Sequence, residues 1–404
     1  MTGFGFHAAP PAGHWINDPN GLIFADGRYR LFVQHRRDSP DYVVTGWARF
    51  SSDDLLHWEW DGEVLSSNAE GFAYSGSITA TTPQGGAELE AWHTRHQPGA
   101  VPRERQFVSG SRDGGRTWSA PVGPFGPQGQ NARDPYVFVH SGRRWMLVAR
   151  PCDWGDAEGQ SRIEMTFENA PGKWAPAVEI ALSIGRGIMC EVPSLLCLGD
   201  QWALVASFID GSGSEPKSYC GYWLGRFEHD RFVPDAGPPQ LIDLGPDFYA
   251  AIPNVDADWP AHRMVIGWAS SWATARTLTL GGGGSGGTIA QPRVIALADG
   301  VLVMSALPAA AHHGRSLRWD VAGSLTVKSA IADLVVDFEP GRLIAKRFGV
   351  GSWGWARDYR GHRIKHDALF FCDAGLVELF VGGLVMTVMV PGHNHIVEWR
   401  GAHD

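Results

Sequence analysis

Five short polar motifs recur along this chain at nearly equal intervals, and that period constrains the fold more than any other feature. Their anchors are Asp18 in WINDPNG, Ser75 in YSGS, Asp134 in NARDPY, Glu191 in CEVP and Asp247 in DFYA, with steps of 57, 59, 57 and 56 residues. Strand-like runs joined by turn residues follow the anchors. Asp18 leads into GLIF, the turn Asp26-Gly27 and RYRLFVQ; Asp134 into YVFVH, Ser141-Gly142 and RWMLVA; Glu191 into VPSLLCL, Gly199-Asp200 and QWALVASF. Pairs of this kind tolerate the positive φ that hairpin turns demand. Strand–turn–strand units repeating near this length predict a β-propeller with one blade per unit. Radial repetition carries the same point of every unit to the central axis. Asp18, Asp134 and Glu191 are therefore predicted to face one pocket, which makes the chain readable as an enzyme.

Composition agrees with an all-β class. Among 404 residues, 51 glycines and 26 prolines suit many turns, while 44% hydrophobic and 19% charged residues suit a soluble globular chain. A net charge of -9 argues against nucleic acid or an anionic membrane surface as partner, because both call for clustered Lys and Arg. No apolar run reaches the length of a membrane span. The N-terminal MTGFGFHAAPPAGHW lacks the charged and then apolar regions of a signal peptide. Cysteines 152, 190, 197, 220 and 372 are odd in number, with no C-x-x-C pair and no metal-like spacing to His. Reduced thiols and a cytoplasmic location are expected, with no metal site.

From about Arg315 the pattern changes to alternating strands (LTVKS, DLVVDFEP, LIAKRFGV, ALFFCD, LVELFVGG, LVMTVMV) without a polar anchor. A small separate β-sandwich is the economical reading. The expected division is residues 1–308 for the propeller and 315–404 for the sandwich. Gly281–Gly287 (GGGGSGG) reads as a mobile loop close after Trp268 and Trp272. SRDGGRTW is similar to the Asp-box turn of several propellers, a brace for a turn rather than a reactive site.

The motifs together resemble glycoside hydrolase family 32, the β-fructofuranosidases. HWINDPNG at 14–21, RDP at 133–135 and the Glu191 motif carry the likeness. YRLFVQH is similar to the family strand ending in a substrate-binding Gln, here Gln34. TGWARFSSDDLLHWE, YSGS, DFYA, IGWASSW…QPR and VELFVGG also have counterparts, so the likeness covers most of the chain. It implies a five-bladed β-propeller followed by a small C-terminal β-sandwich, a retaining mechanism, and no metal or organic cofactor. It further implies Asp18 as nucleophile, Glu191 as general acid/base, and Asp134 as a transition-state stabiliser bonded to fructose hydroxyls. Asn17, Gln34, Trp47, Tyr74, Ser75, Arg133 and Trp268 are the candidate substrate-binding residues.

Sequence neighbours fit that division of labour. Retention needs one ionised carboxylate to attack the anomeric carbon and one protonated carboxyl to serve the leaving oxygen. Asn17 and Asn20 flank Asp18 with amides that favour its charge, Arg133 adjoins Asp134, and Glu191 has only Cys190, Val192 and Pro193 beside it. Glu191 is thus expected to be the least compensated and to hold the proton. The chain departs from the family at Val192, where Cys usually follows the acid/base, and at Arg49, where His is common; both are expected to flank the sugar. The leading expectation is hydrolysis of sucrose, a small-molecule sugar, and of short fructo-oligosaccharides, with subunit number open. The alternatives are a fructosyltransferase of the same chemistry, a five-bladed glycosidase acting on arabinose or xylose, and a non-catalytic fructan-binding propeller.

Overall fold

The structure, a computed structural model, describes residues 6–37, 44–81, 88–211, 217–228, 230–254, 263–272, 275, 287–318, 323–339, 342–349, 353–358, 367–373, 375–390 and 395–401. Five antiparallel sheets follow one another between His14 and Ala306, each a meander of consecutive strands. Their first strands are His14–Ala25, Phe72–Thr81, Arg133–His140, Ile188–Leu198 and Tyr249–Pro253. Each first strand packs on the first strand of the next sheet, and Tyr249–Pro253 returns to pack on His14–Ala25. The anchors Asp18, Ser75, Asp134 and Glu191 therefore lie on strands packed against the first strands of the neighbouring units.

A shared irregularity interrupts every first strand, at the anchor in the first four. Pairing to the second strand slips at Ile16/Pro19, at Ala73/Gly76, opposite Leu147/Ala149, at Glu191/Ser194 and at Tyr249/Ile252. Bulges of this kind re-aim side chains and end regular pairing next to active sites. Positive φ values at Asp134 (60°), Val192 (49°) and Ala250 (54°) fall at these breaks. A β-branched residue with positive φ is an outlier that persists only where its surroundings over-determine it.

Two further sheets follow. Arg315–Arg318, Asp367–Asp373, Leu376–Val381 and Leu384–Met389 form one; Trp353–Asp358, Arg342–Gly349, Ala332–Glu339, Gly323–Lys328 and Ile396–Gly401 form the other. They share a core in which Leu325, Val327, Leu334 and Val336 meet Phe370, Val377, Leu379 and Val388. Strand alternation turns Leu376 and Phe380 the opposite way, into the core that contains the first and fifth sheets.

Charged side chains fill this junction. Arg293 donates from Nη1 to Asp243 Oδ2 at 2.6 Å and from Nη2 to Glu378 Oε1 at 3.1 Å, with its guanidinium 3.9 Å from the Phe248 ring centroid. His7 bonds Asp373 at 2.8 Å and Glu378 at 2.9 Å. Burial alone would depress the His7 pKa, but both carboxylates outweigh it and raise it above 6.5. The stability His7 contributes is thus complete below pH 6.5 and is lost as pH climbs through the raised folded value. Asp247 also belongs here: its Oδ2 accepts from Arg347 Nη1 at 2.5 Å and from the Met389 N–H at 2.9 Å. The expectation that Asp247 anchors the fifth unit at the pocket is corrected, since Tyr249 and Ala250 hold that place. Gln291 and Arg293, in the QPR motif, likewise face the C-terminal sheets. Breaking a buried pair by removing one partner is strongly destabilising, so Arg293→Leu should lower unfolding free energy by about 3–5 kcal/mol. Denaturant titration checks this; a loss under about 1 kcal/mol would mean the junction tolerates two stranded carboxylates.

In SRDGGRTW, Asp113 accepts from the Arg116 and Thr117 N–H groups and the Thr117 hydroxyl, bracing a turn. Arg49 reaches this turn at the Gly114 carbonyl (2.7 Å) and pairs with Asp61 (2.8 Å). It ties the first sheet to the second and does not flank a sugar site, contrary to expectation. Of Gly281–Gly287, residues 281–286 lie outside the described residues. Gly287 has φ 83°, and a Cβ there would sit 2.0 Å from the Ile16 carbonyl oxygen, so only glycine allows this approach.

Candidate active site

The five strand breaks converge on one buried polar cluster. Asp18 Oδ2 accepts from the Ser75 hydroxyl at 2.7 Å, and Ser75 Oγ also lies 2.9 Å from Gln34 Oε1. Asn17 Nδ2 donates to the same Gln34 oxygen at 2.7 Å. Burial pushes the Asp18 pKa up to about 6; hydrogen bonds from Ser75 and Asn17 oppose the rise, and the Glu191 charge adds to it. Asp18 Oδ1 and Asn17 Oδ1 are buried with no hydrogen-bond partner among the described residues. Acceptors left in this state are costly in an empty fold and are suited to a hydroxyl-rich ligand.

Asp134 stands across the cluster. Its Oδ2 accepts from the Val192 N–H at 2.9 Å, and its own N–H donates to Thr94 Oγ1 at 3.0 Å. Burial raises the Asp134 pKa well above the usual carboxylate range, the Glu191 charge adds to this, and Arg133 opposes it. Glu191 is held from two sides. Arg133 Nη1 donates to Oε1 at 3.0 Å, and the Tyr249 hydroxyl donates to Oε2 at 3.0 Å. The first strands that carry the three acids pack around one another, and the Val192 N–H on Asp134 sets that carboxylate beside Glu191; the Glu191 charge adds to the raised pKa of both Asp18 and Asp134.

Several expectations change in detail. Arg133 was expected to neutralise Asp134, its neighbour in sequence; its hydrogen bonds go to Glu191 and Glu104 instead. Glu191 was expected to be uncompensated, yet it carries a cation and a phenol. Asn20 accepts the Gly76 N–H through Oδ1, and its Nδ2, expected to favour the Asp18 charge, makes no hydrogen bond to Asp18. Trp47 has no exposed surface and donates Nε1 to the Tyr74 carbonyl at 2.9 Å, so it supports the chain behind Tyr74 and offers no face to a sugar. Trp268 is also fully buried, edge-on to Trp15 at 6.0 Å and 5.1 Å from Trp272. Both are corrected from sugar-contacting residues to walls. Tyr74 remains partly exposed and stacks on His96 at 4.4 Å.

Other residues escaped the sequence reading. Tyr249 was discoverable, because it lies 58 residues past Glu191, the same step that separates Arg133 from Glu191. Arg36, whose charge acts on Asp18 and whose guanidinium sits 5.2 Å from the Trp272 ring centroid, follows Gln34 closely. Thr94, His96 and Glu104 lie on the second and third strands of the second sheet, off the anchor period, and nothing in the sequence singles them out. Among the described residues no group of His, Cys, Asp and Glu is arranged to hold a metal ion.

Comparison with known proteins agrees with this arrangement. The family described as "Glycosyl hydrolases family 32 N-terminal domain" matches residues 7–306. Sucrose-6-phosphate hydrolase of Escherichia coli is 32% identical over 285 residues, covering 66% of this chain and 57% of that protein. Levanase of Bacillus subtilis is 30% identical over 297 residues, covering 67% of this chain and 41% of that protein. The match thus spans less than two thirds of these relatives' own length. Among solved structures, the Bombyx mori GH32 beta-fructofuranosidase superposes with TM-score 0.79 at 20% identity, over 99% of this chain and 91% of that one. Sucrose-6-phosphate hydrolase from Lactobacillus gasseri does so with TM-score 0.77 at 20% identity, over 98% and 92%. The all-β fold is shared with both, and since the family match extends over most of the sequence and takes in Asp18, Asp134 and Glu191, the chain belongs to glycosyl hydrolase family 32.

Proposed function

We propose that this protein is a retaining β-fructofuranosidase, cleaving the fructosyl bond of sucrose and of short fructo-oligosaccharides through a covalent fructosyl-enzyme intermediate. The five sheets between His14 and Ala306 are then the blades of a five-bladed propeller within residues 1–308, and the last two sheets a β-sandwich within 315–404. The observation that carries the reading is the placing of Asp18, Asp134 and Glu191 on the inner first strands of the sheets, with Asp18 held by Ser75, Asp134 by the Val192 N–H, and Glu191 oriented by Arg133 and Tyr249. Relatives named for sucrose-6-phosphate and levan, and a Bombyx mori structure described as a complex with sucrose, support the substrate class. The odd number of cysteines without a C-x-x-C pair leads us to place the protein in a reducing compartment, the cytoplasm.

Each carboxylate has a distinct task in this chemistry. Ionised Asp18 attacks C2 of the fructosyl unit while the C2–O bond breaks, and Glu191 delivers its proton to the departing oxygen. Glu191, now ionised, takes a proton from water; that oxygen bonds to C2 and Asp18 leaves. Asp134 keeps one oxygen on the Val192 N–H and offers the other to sugar hydroxyls. The nucleophile must be ionised, and its pKa is about 6, so kcat/KM should fall as pH drops through about 6.

Fructose release from sucrose, sucrose-6-phosphate, raffinose, inulin and levan, with Asp18→Ala as blank, tests the assignment. Wild-type release with a silent blank is expected, and NMR should find β-fructofuranose as the first product. Equal release by the variant removes Asp18 as nucleophile, and inversion removes the covalent intermediate. Predominant oligosaccharide at high sucrose would shift the reading to a fructosyltransferase.

A further inference from the structure

One buried carboxylate has no part in the chemistry above. Glu104 opens the strand Glu104–Ser111, is fully inaccessible, and grips Arg133 with both oxygens: Nε to Oε2 at 3.1 Å and Nη2 to Oε1 at 3.1 Å. It also accepts from the Ala132 N–H at 2.7 Å and bonds His96 Nδ1 at 3.1 Å. Arg133 spends its remaining Nη1 on Glu191. One guanidinium is therefore shared between two carboxylates, and a single contact separates the inner one from the acid/base.

We propose that Glu104 is a positioning residue that keeps Glu191 able to hold a proton, by drawing off part of the positive charge that Arg133 would otherwise lend to it. This rests on the assignment of Glu191 as acid/base. A cation given wholly to Glu191 would favour its ionised form and empty the acid before the leaving group arrives. With Glu104 bidentate, Arg133 orients Glu191 while the pair as a whole is charge-compensated. The other groups facing Glu191 are Asp18, Asp134, Cys190 and the Tyr249 hydroxyl. Those facing Glu104 are His96, Arg133 and, through its coupling with Tyr74, the stacked phenol. Arg36 acts on the cluster through Asp18, and among the described residues Arg133 is the cation hydrogen-bonded to Glu191, so the Glu104–Arg133 contact sets how much of that bonded charge reaches it. Burial would raise the Glu104 pKa, but the hydrogen bond to His96 and the charge of Arg133 hold it low, in keeping with a permanently ionised partner.

The test is the alkaline limb of kcat/KM for sucrose in Glu104→Gln, which removes the charge and keeps the shape. Both the lost repulsion and the freed guanidinium act in one direction, so the limb should move to lower pH by about one unit, an approximately tenfold loss on that limb. An unmoved limb, whatever happens to kcat or melting temperature, overturns the proposal. If Glu104→Gln does not fold, His96→Phe keeps the ring against Tyr74 and leaves Glu104 more dependent on Arg133; its limb should move to higher pH, and no movement again overturns the idea. A nitrophenyl fructoside separates this from the parent assignment, because its leaving group needs no proton. Loss of the alkaline limb with that substrate in the wild-type protein upholds Glu191 as the acid, whereas a persisting limb defeats that assignment itself.

Discussion

Replacing Asp18 by Asn should remove turnover, by roughly 10⁴-fold or more, and should at the same time make the protein more stable near neutral pH. The loss follows from the proposed role of Asp18 as nucleophile, since an amide cannot form the ester to C2. The gain follows from linkage. An Asp whose pKa rises from 3.8 to about 6 on folding binds its proton more tightly in the native state. That group's contribution to stability is complete below pH 3.8 and declines as pH climbs through about 6. At neutral pH the ionised, buried carboxylate therefore opposes folding by an amount on the order of 2–3 kcal/mol. Asn in its place carries no charge at any pH, and its oxygen keeps the Ser75 bond. Denaturation midpoints at pH 4 and pH 7.5 check this: variant and wild type should be close at the lower value and separated at the higher, with the variant above. A variant less stable than wild type at pH 7.5 would show that the carboxylate is a structural member of the cluster.

Glu191→Gln is expected to lower kcat/KM for sucrose by about 10²–10⁴, the usual contribution of general acid catalysis. Against a nitrophenyl fructoside the same variant should retain most of its kcat/KM, because that constant ends with the first irreversible step and the leaving group departs unprotonated. Its kcat should still fall, since the proposed mechanism also uses Glu191 as the base that activates water in the second step. The amide oxygen of the variant can still accept from Arg133, and its Nε2 can donate to the Tyr249 oxygen with that bond reversed, so the side chain keeps its place. An equal loss on both substrates would assign Glu191 to binding rather than proton transfer.

Individual residues show how far the sequence could be read. Asp18, Ser75, Asp134 and Glu191 announce themselves by spacing, because each falls on the first strand of its sheet and those strands pack on one another. The DFYA unit shows the limit of that reading. Period alone does not say which of its residues points inward, and the bulge at Tyr249/Ile252 sends Tyr249 to Glu191 while Asp247 pairs with Arg347. Trp47 and Trp268 match sugar-contacting positions of the family by alignment of motifs, yet both are walled in by neighbouring sheets. Composition gives no hint of the Arg293, Asp243 and Glu378 junction, whose members come from the fourth and fifth units and the C-terminal strands.

By itself, then, the order of residues determined the strand-rich class, the count of repeating units and the three acids that meet, because these depend on local periodicity and chain repetition. What only the folded molecule decided was the partner of each acid. Successive residues on a strand project to opposite faces, so Arg133 is carried away from its covalent neighbour Asp134 and across to Glu191 and Glu104 on adjoining sheets. Charge compensation acts through space at a few ångströms, and no reading along the chain measures that distance.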